Sequence, residues 1–326
     1  MAIDRQTTVG VTGGAGMIGS YLVDALVLNG CDVIVIDDFS KGKIENLHKC
    51  LKDIEIREGN LEKKSFALNA LRGCDIVFHL ASRAYGVGYG HGRHLEVLHH
   101  NERVSTNVLS AVEFHRPKTF LVTSSSCVYD DCGPETLNEL EIFEGEPEKV
   151  NLGYGWAKRF LEQKSLLLAR QLGIGTIIVR PFNIYGERYN WMGEFSQAIP
   201  MLVKRIMDCE NPVEVWGSGD QRRNYMHAKD CARYMMGLVE KNCVGETVNI
   251  GSASHVSIKE LVTLIAERAR LCPTFEFNTS KPEGRRVKSA NIGKLQNLLP
   301  NYAPEIDLSD GIDRMLLWYK STFSEE

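Results

Sequence analysis

Tyr154 and Lys158, in the run Tyr154-Gly155-Trp156-Ala157-Lys158, stand four residues apart, which puts two side chains on one face of a helix. A free tyrosine titrates at about 10 and is a poor base at neutral pH. A cation beside it favours the phenolate, and a shift of about three units corresponds to about 4 kcal/mol. Such a phenolate takes the proton from a hydroxyl while a hydride leaves the same carbon, turning an alcohol into a ketone. The spacing alone recurs by chance in many proteins. Its weight comes from what precedes it: Phe120-Leu121-Val122-Thr123-Ser124-Ser125-Ser126-Cys127-Val128-Tyr129, a buried strand running into a polar turn. Ligands bind at the carboxyl ends of parallel strands in open α/β sheets.

A hydride needs an acceptor, and the N-terminal region offers a place for one. Thr12-Gly13-Gly14-Ala15-Gly16-Met17-Ile18-Gly19 follows one strand-like run and opens a helical one. Glycines at 13, 16 and 19 permit a tight turn, close backbone approach and close helix packing. Free N–H groups at the helix start then face a pyrophosphate. The next strand-like run, Val33 to Ile36, ends in Asp37-Asp38. An acidic residue there accepts hydrogen bonds from the adenosine ribose and repels a 2′-phosphate, which favours NAD over NADP. Asp37, the first residue past the apolar run, is the preferred candidate.

These pieces need a scaffold. Apolar, β-branched runs at Thr7–Val11, Val33–Ile36, Ile54–Ile56, Ile76–Leu80, Phe120–Thr123 and Ile177–Val179 read as buried strands. Helical spacing at Tyr21–Leu28, Leu95–Phe114 and Ala157–Leu172 alternates with them. That alternation implies a doubly wound parallel sheet of the Rossmann type, covered on both faces. Beyond Arg180-Pro181 the texture turns to Gly, Pro, Trp and Tyr, as expected around a pocket. The expected division is a nucleotide-binding domain over 1–180, rejoined by 227–250. A smaller, mixed α/β substrate domain is expected from 181–226 and 251–326.

Composition narrows the rest. The chain has 326 residues, 43% hydrophobic and 25% charged, with a formal charge of −4 spread along its length. A concentrated basic face for nucleic acid is therefore not expected. No apolar run reaches the roughly 18 residues of a membrane span. The nine cysteines form no CxxC pair. The N-terminal MAIDRQTTVGVTGG lacks the pattern of a cleaved leader, so a reduced, cytoplasmic protein is expected. His91, His94, His99 and His100 cluster without supporting carboxylate or cysteine spacing, and no metal is assigned to them.

Taken in order, these motifs resemble an extended short-chain dehydrogenase/reductase of the nucleotide-sugar epimerase and dehydratase branch. The carrying residues are the TGGAGMIG turn, the Asp37 strand end, His79-Leu80-Ala81, the SSSCVY run, YGWAK, Arg180-Pro181-Phe182-Asn183-Ile184-Tyr185-Gly186 and Gly219-Asp220-Gln221-Arg222-Arg223-Asn224-Tyr225. The resemblance implies that Tyr154 is the acid/base, that Ser125 hydrogen-bonds the reacting oxygen, and that Lys158 binds the nicotinamide ribose. It implies NAD contacts at Gly13, Gly16, Met17, Ile18, Asp37, Asn60, Leu61, Leu80, Ala81 and Asn101. A nucleotide-diphosphate sugar is the implied partner, with Arg83, Ser125, Ser126, Asn183, Arg223 and Arg286 as substrate contacts. Arg222 beside Arg223, and Arg285 beside Arg286, leave each register open by one. The resemblance also implies a homodimer formed through the helices near 95–114 and 157–172. Retention of Ser125, Tyr154 and Lys158 argues against a sensor that has lost the chemistry.

Relatives diverge after the oxidation. Sugar 4,6-dehydratases carry an Asp-Glu pair where this chain has Ser126 and Cys127, which disfavours dehydration. Cysteine at 127 resembles GDP-mannose 3,5-epimerases and GDP-fucose synthases, where it acts as an acid/base beside the ketone. The synthases reduce with NADPH, which Asp37 opposes, and their further histidine is matched here by Met192. The expectation is an epimerase that oxidises carbon 4, inverts and re-reduces. The alternatives are a 4-dehydrogenase that releases the ketone, and a dehydratase.

Overall fold

The computed structural model describes residues 7–84, 86, 88, 92–140, 144–191, 196–281 and 283–323; Tyr85, Val87, His91 and Met192 lie outside them. All the apolar runs expected as strands join one sheet. These are β1 (Thr8–Thr12), β2 (Asp32–Asp37), β3 (Ile54–Glu58), β4 (Ile76–His79), β5 (Thr119–Thr123), β6 (Gly175–Pro181) and β7 (Thr247–Ile250). Their order is β7-β6-β5-β4-β1-β2-β3, and every neighbouring pair is parallel. The order reverses between β1 and β4, which opens a crevice at their carboxyl ends.

Both faces of the sheet are covered, so its strands are apolar on both sides. Val9, Val11, Val33 and Val35 pack with α1 (Met17–Leu28) on one face. Ile34, Ile36, Val77, Phe120 and Val122 form the opposite face. There they meet α2 (Lys64–Ala70), α3 (His94–His115) and α4 (Leu152–Leu172). A second core gathers α5 (Ala198–Met207), α7 (Ile258–Ala269) and α9 (Leu308–Phe323) around Val213 and Val215. The helix between them in sequence, α6 (Ala228–Glu240), instead packs with α1 on the large sheet. The short α8 (Gly293–Leu298) lies against β7.

A small four-stranded sheet closes the upper end, with Arg222–Arg223 between Val256–Ser257 and Val287–Ala290, and Thr136–Leu137 at its edge. It carries residues from the C-terminal third of the chain to the end of β5.

One boundary departs from the helical spacing in an informative way. The α4 helix begins at Leu152 rather than Ala157, so Tyr154 sits in its first turn. Gly153 and Gly155 look like helix breakers in sequence. A Cβ on Gly153 would lie 1.9 Å from the His94 carbonyl oxygen, and one on Gly155 would lie 2.6 Å from that of Cys127. The two glycines let this turn wedge between α3 and the Ser125–Cys127 turn, which is what brings Tyr154 to Ser125.

Candidate active site

A cavity of about 490 Å³ lies along the carboxyl ends of β1, β2, β4 and β5. At one end is the glycine turn. Gly13 has φ +71°, and a Cβ there would lie 2.8 Å from the Ala81 nitrogen. A Cβ on Gly19 would lie 2.2 Å from the Gly13 carbonyl oxygen. Gly16 differs: its Cβ would meet only that same oxygen, at 3.2 Å. Gly16 caps α1 with no side-chain partner, and α1 has no acidic residue in its first turn. Its open face, together with Met17 and Ile18, is thus a cradle that a dinucleotide pyrophosphate fits.

Asp37 ends β2 at the same wall, buried, with its carboxylate accepting from the backbone N–H groups of Ala15 and Phe39 at 2.9 Å each. Burial pushes its carboxyl above the ordinary range, against those two hydrogen bonds. Asn60, Leu61, Leu80 and Ala81 line this end as well, and the Asn60 side-chain oxygen accepts from the Glu62 N–H at 2.7 Å. Asn101 stands back from the lining. Its side chain accepts from the Arg83 N–H at 2.8 Å and donates to the Arg83 and Val97 carbonyls, so it holds the loop that carries Arg83 to the cavity.

Ser125 and Tyr154 face the middle of the cavity. The Ser125 hydroxyl accepts from the Cys127 N–H at 3.1 Å, and Tyr154 hydrogen-bonds the hydroxyls of both Ser82 and Ser125. Lys158 lies 5.5 Å from the Tyr154 ring centroid and donates to the Thr123 carbonyl at 2.7 Å. Burial pushes the phenol well above its usual range, while the same cause brings the Lys158 ammonium down to about 8. The chain's own groups therefore keep Tyr154 protonated at neutral pH. Moving that proton calls for further positive charge at the site.

Behind these residues runs a buried charged network absent from the sequence reading. Arg180, at the end of β6, donates to both Glu162 oxygens at 2.9 and 2.8 Å and to the Tyr129 hydroxyl at 2.9 Å. Tyr129 in turn donates to Asn249 at 2.6 Å, and Ser124 donates to Glu162. The serine turn is thereby tied to α4, β6 and β7 at once.

The far end of the cavity settles which of the paired arginines faces inward. Arg223 lines it, while Arg222 turns out to Glu260 at 3.4 Å, the alternation of a two-residue strand. Arg285 is committed to the carbonyls of Asp130, Gly133 and Pro134, and Arg286 is exposed outside the lining. Asn183, at φ +44°, lines the cavity and donates to the Asn224 carbonyl at 3.0 Å. Ser126 and Cys127 line it too. Spacing gave no sign of Glu148 and Lys288, which are joined at 3.0 Å beside Cys127, nor of Arg188 and Arg205 in the wall. His100 lies 3.2 Å from Glu62, and among the described residues no three His, Cys, Asp or Glu side chains gather as metal ligands.

The model of the NAD-dependent epimerase/dehydratase family matches residues 9–251, and the chain belongs to that family, whose cofactor is NAD. It is 27% identical to a GDP-mannose 3,5-epimerase of Oryza sativa subsp. japonica over 99% of this chain and 84% of that one. It is 29% identical to an uncharacterised UDP-glucose epimerase of Bacillus subtilis, over 97% and 99% of the two chains. Among solved structures it resembles a UDP-glucuronic acid 4-epimerase of Bacillus cereus in complex with UDP-glucuronic acid and NAD. That match has a TM-score of 0.85 and 27% identity, and covers 97% of this chain and all of the other. No described helix is long and apolar enough to cross a membrane.

Proposed function

We propose that this protein is an NAD-dependent epimerase of a nucleotide-diphosphate sugar, working through a transient ketone at carbon 4. One observation carries the reading: a single cavity joins the Gly16 cradle to Arg223, with the Ser125–Tyr154 pair between them. In this mechanism Ser125 and Tyr154 bracket the carbon-4 hydroxyl, and Tyr154 takes its proton. When bound, NAD would supply the hydride acceptor and donor, together with the positive charge that a buried phenol needs in order to ionise. Lys158, anchored on Thr123, holds the phenol in line from below. Arg223 and Asn183 take the diphosphate, for which the planar guanidinium fork is suited. The domain division follows the same line, with the NAD-binding part over 1–180 and 227–250 and the sugar part over 181–226 and 251–326.

The test is incubation with UDP-glucose, UDP-glucuronic acid and GDP-mannose in turn. An epimerase yields an isomer of unchanged mass from one of them, with no net NADH absorbance. Stoichiometric NADH would instead make the protein a 4-dehydrogenase, and loss of a water mass would make it a dehydratase. The protein is further proposed to dimerise through α3 and α4, where Phe114 and Leu167 are 73% and 51% exposed. Light scattering at the mass of one 36.6 kDa chain would contradict that.

A further inference from the structure

The proposed chemistry makes no use of a polar cluster where the sugar-binding segments meet α1. Two short strands lead to it, Ile184–Tyr185 and Met226–His227, parallel and paired as Ile184 with Met226 and Tyr185 with His227. Asn183 stands just ahead of the first strand and Arg223 ahead of the second. The Asn183 side chain donates to the Asn224 carbonyl at 3.0 Å, so the two approaches are joined before the strands begin.

The residues that leave this ladder grip α1 instead. Glu187 Oε2 accepts from the Tyr21 hydroxyl at 2.9 Å and lies 2.6 Å from His227 Nε2. The Lys229 N–H donates to His227 Nδ1, which leaves Nε2 as the donor to Glu187. Arg188 donates to Asp24 at 2.7 Å and lies 4.1 Å from the Tyr21 ring centroid. Asn46 ties the same segment to the glycine turn, donating to the Arg188 carbonyl at 3.2 Å and to the Ala15 carbonyl at 2.8 Å. Tyr21, Asp24, Glu187 and His227 all lie outside the cavity lining. Asn183 and Arg188, on either side of the first strand, hold left-handed backbone at φ +44° and +65°. Non-glycine residues keep that conformation only where their surroundings fix it. Arg188 Nη1 is moreover buried with no hydrogen-bond partner among the described residues. An unsatisfied buried donor weakens a fold, so stability alone does not account for this arginine.

We propose that this ladder couples the two ligand sites: Glu187, Arg188 and His227 are positioning residues through which a bound nucleoside diphosphate steadies α1 and the glycine turn around NAD. This rests on the function proposed above, which puts the diphosphate on Asn183 and Arg223. Ligation there orders the approaches to both strands. Each strand is two residues long and paired throughout, so order at its start is order at Glu187, Arg188 and His227. NAD then meets a cradle that is already ordered, and each ligand strengthens the hold on the other. The cofactor is thus held most firmly while the ketosugar is present, which keeps the hydride available for return to the same molecule. Product release loosens it.

The test is the rate at which bound NAD exchanges with deuterium-labelled NAD, read by mass spectrometry of the cofactor retained on the protein. It is measured without nucleotide and with saturating UDP or GDP, the binding of each being checked by calorimetry. In the wild type, the nucleotide that binds is expected to slow exchange by about tenfold, a usual size for coupling between sites. Tyr21→Phe/Asp24→Asn alters α1 outside the cavity and is expected to cut that slowing to about threefold or less. Arg188→Met is expected to do the same from the other side of the contact. A ladder that served only as a staple would speed exchange in the variants equally with and without nucleotide. A nucleotide that merely blocked the exit would slow exchange in the variants as much as in the wild type. Either result, or a wild-type rate indifferent to a nucleotide that binds, overturns the coupling and leaves the proposed function standing. Should one variant fail to fold, the other decides. Binding of neither UDP nor GDP would overturn the coupling together with the function on which it rests.

Discussion

Replacing Tyr154 with phenylalanine lowers turnover by about 10²–10⁴-fold, the usual worth of a positioned acid/base, while NAD and nucleotide sugar still bind. The middle of that range, about 10³-fold, is about 4 kcal/mol of barrier. The phenol hydroxyl is the one group of this side chain that reaches both Ser82 and Ser125. The ring keeps its place in phenylalanine, because the Gly153 and Gly155 contacts that seat the first turn of α4 are made by backbone. Loss in kcat with little change in KM or NAD content is therefore expected. A variant within a few-fold of wild-type kcat would remove Tyr154 from the chemistry.

Glu162→Gln strikes the protein itself. Arg180 and Glu162 are 2% and 1% exposed and meet through two parallel hydrogen bonds, so removing one charge leaves the other buried and uncompensated. Breaking such a pair costs about 3–5 kcal/mol. The urea midpoint falls accordingly, and activity falls with it, because the carboxylate that anchors Ser124, one residue from Ser125, becomes a weaker neutral acceptor. The double variant Glu162→Leu/Arg180→Met recovers much of the stability, since well-packed apolar replacements of buried ion pairs are often neutral or better. A midpoint unchanged in the single variant would contradict this account of the network.

The parts of the site that could be read from sequence are those whose function is local in the chain. The glycine turn needs only a strand, three glycines and a helix start, and Asp37 needs only the end of the next strand. Tyr154 and Lys158 need one helical turn, although the helix start was hidden by two glycines that serve packing rather than flexibility. The Arg222 and Arg223 ambiguity dissolves once the pair is seen in a strand, where neighbours point to opposite faces. Glu148 and Lys288 are 140 residues apart and meet only because the small sheet brings Val287–Ala290 to the end of β5. No periodicity or motif encodes that meeting. The Arg180–Glu162 pair sits in the run from Arg180 to Gly186 and in α4, yet bulk charge on a helix reads as solvated until the burial is known.

The proposed function has at its centre that carbon 4 loses a hydride within the cavity and regains the same one. The most direct measurement uses whichever nucleotide sugar is turned over, carrying deuterium at carbon 4, with the product isomer analysed by mass and by NMR. Retention of the label at carbon 4, with the bound cofactor oxidised at the end as at the start, is the predicted result. Label lost to solvent, or an isomer formed with carbon 4 never exchanging hydride, would contradict it.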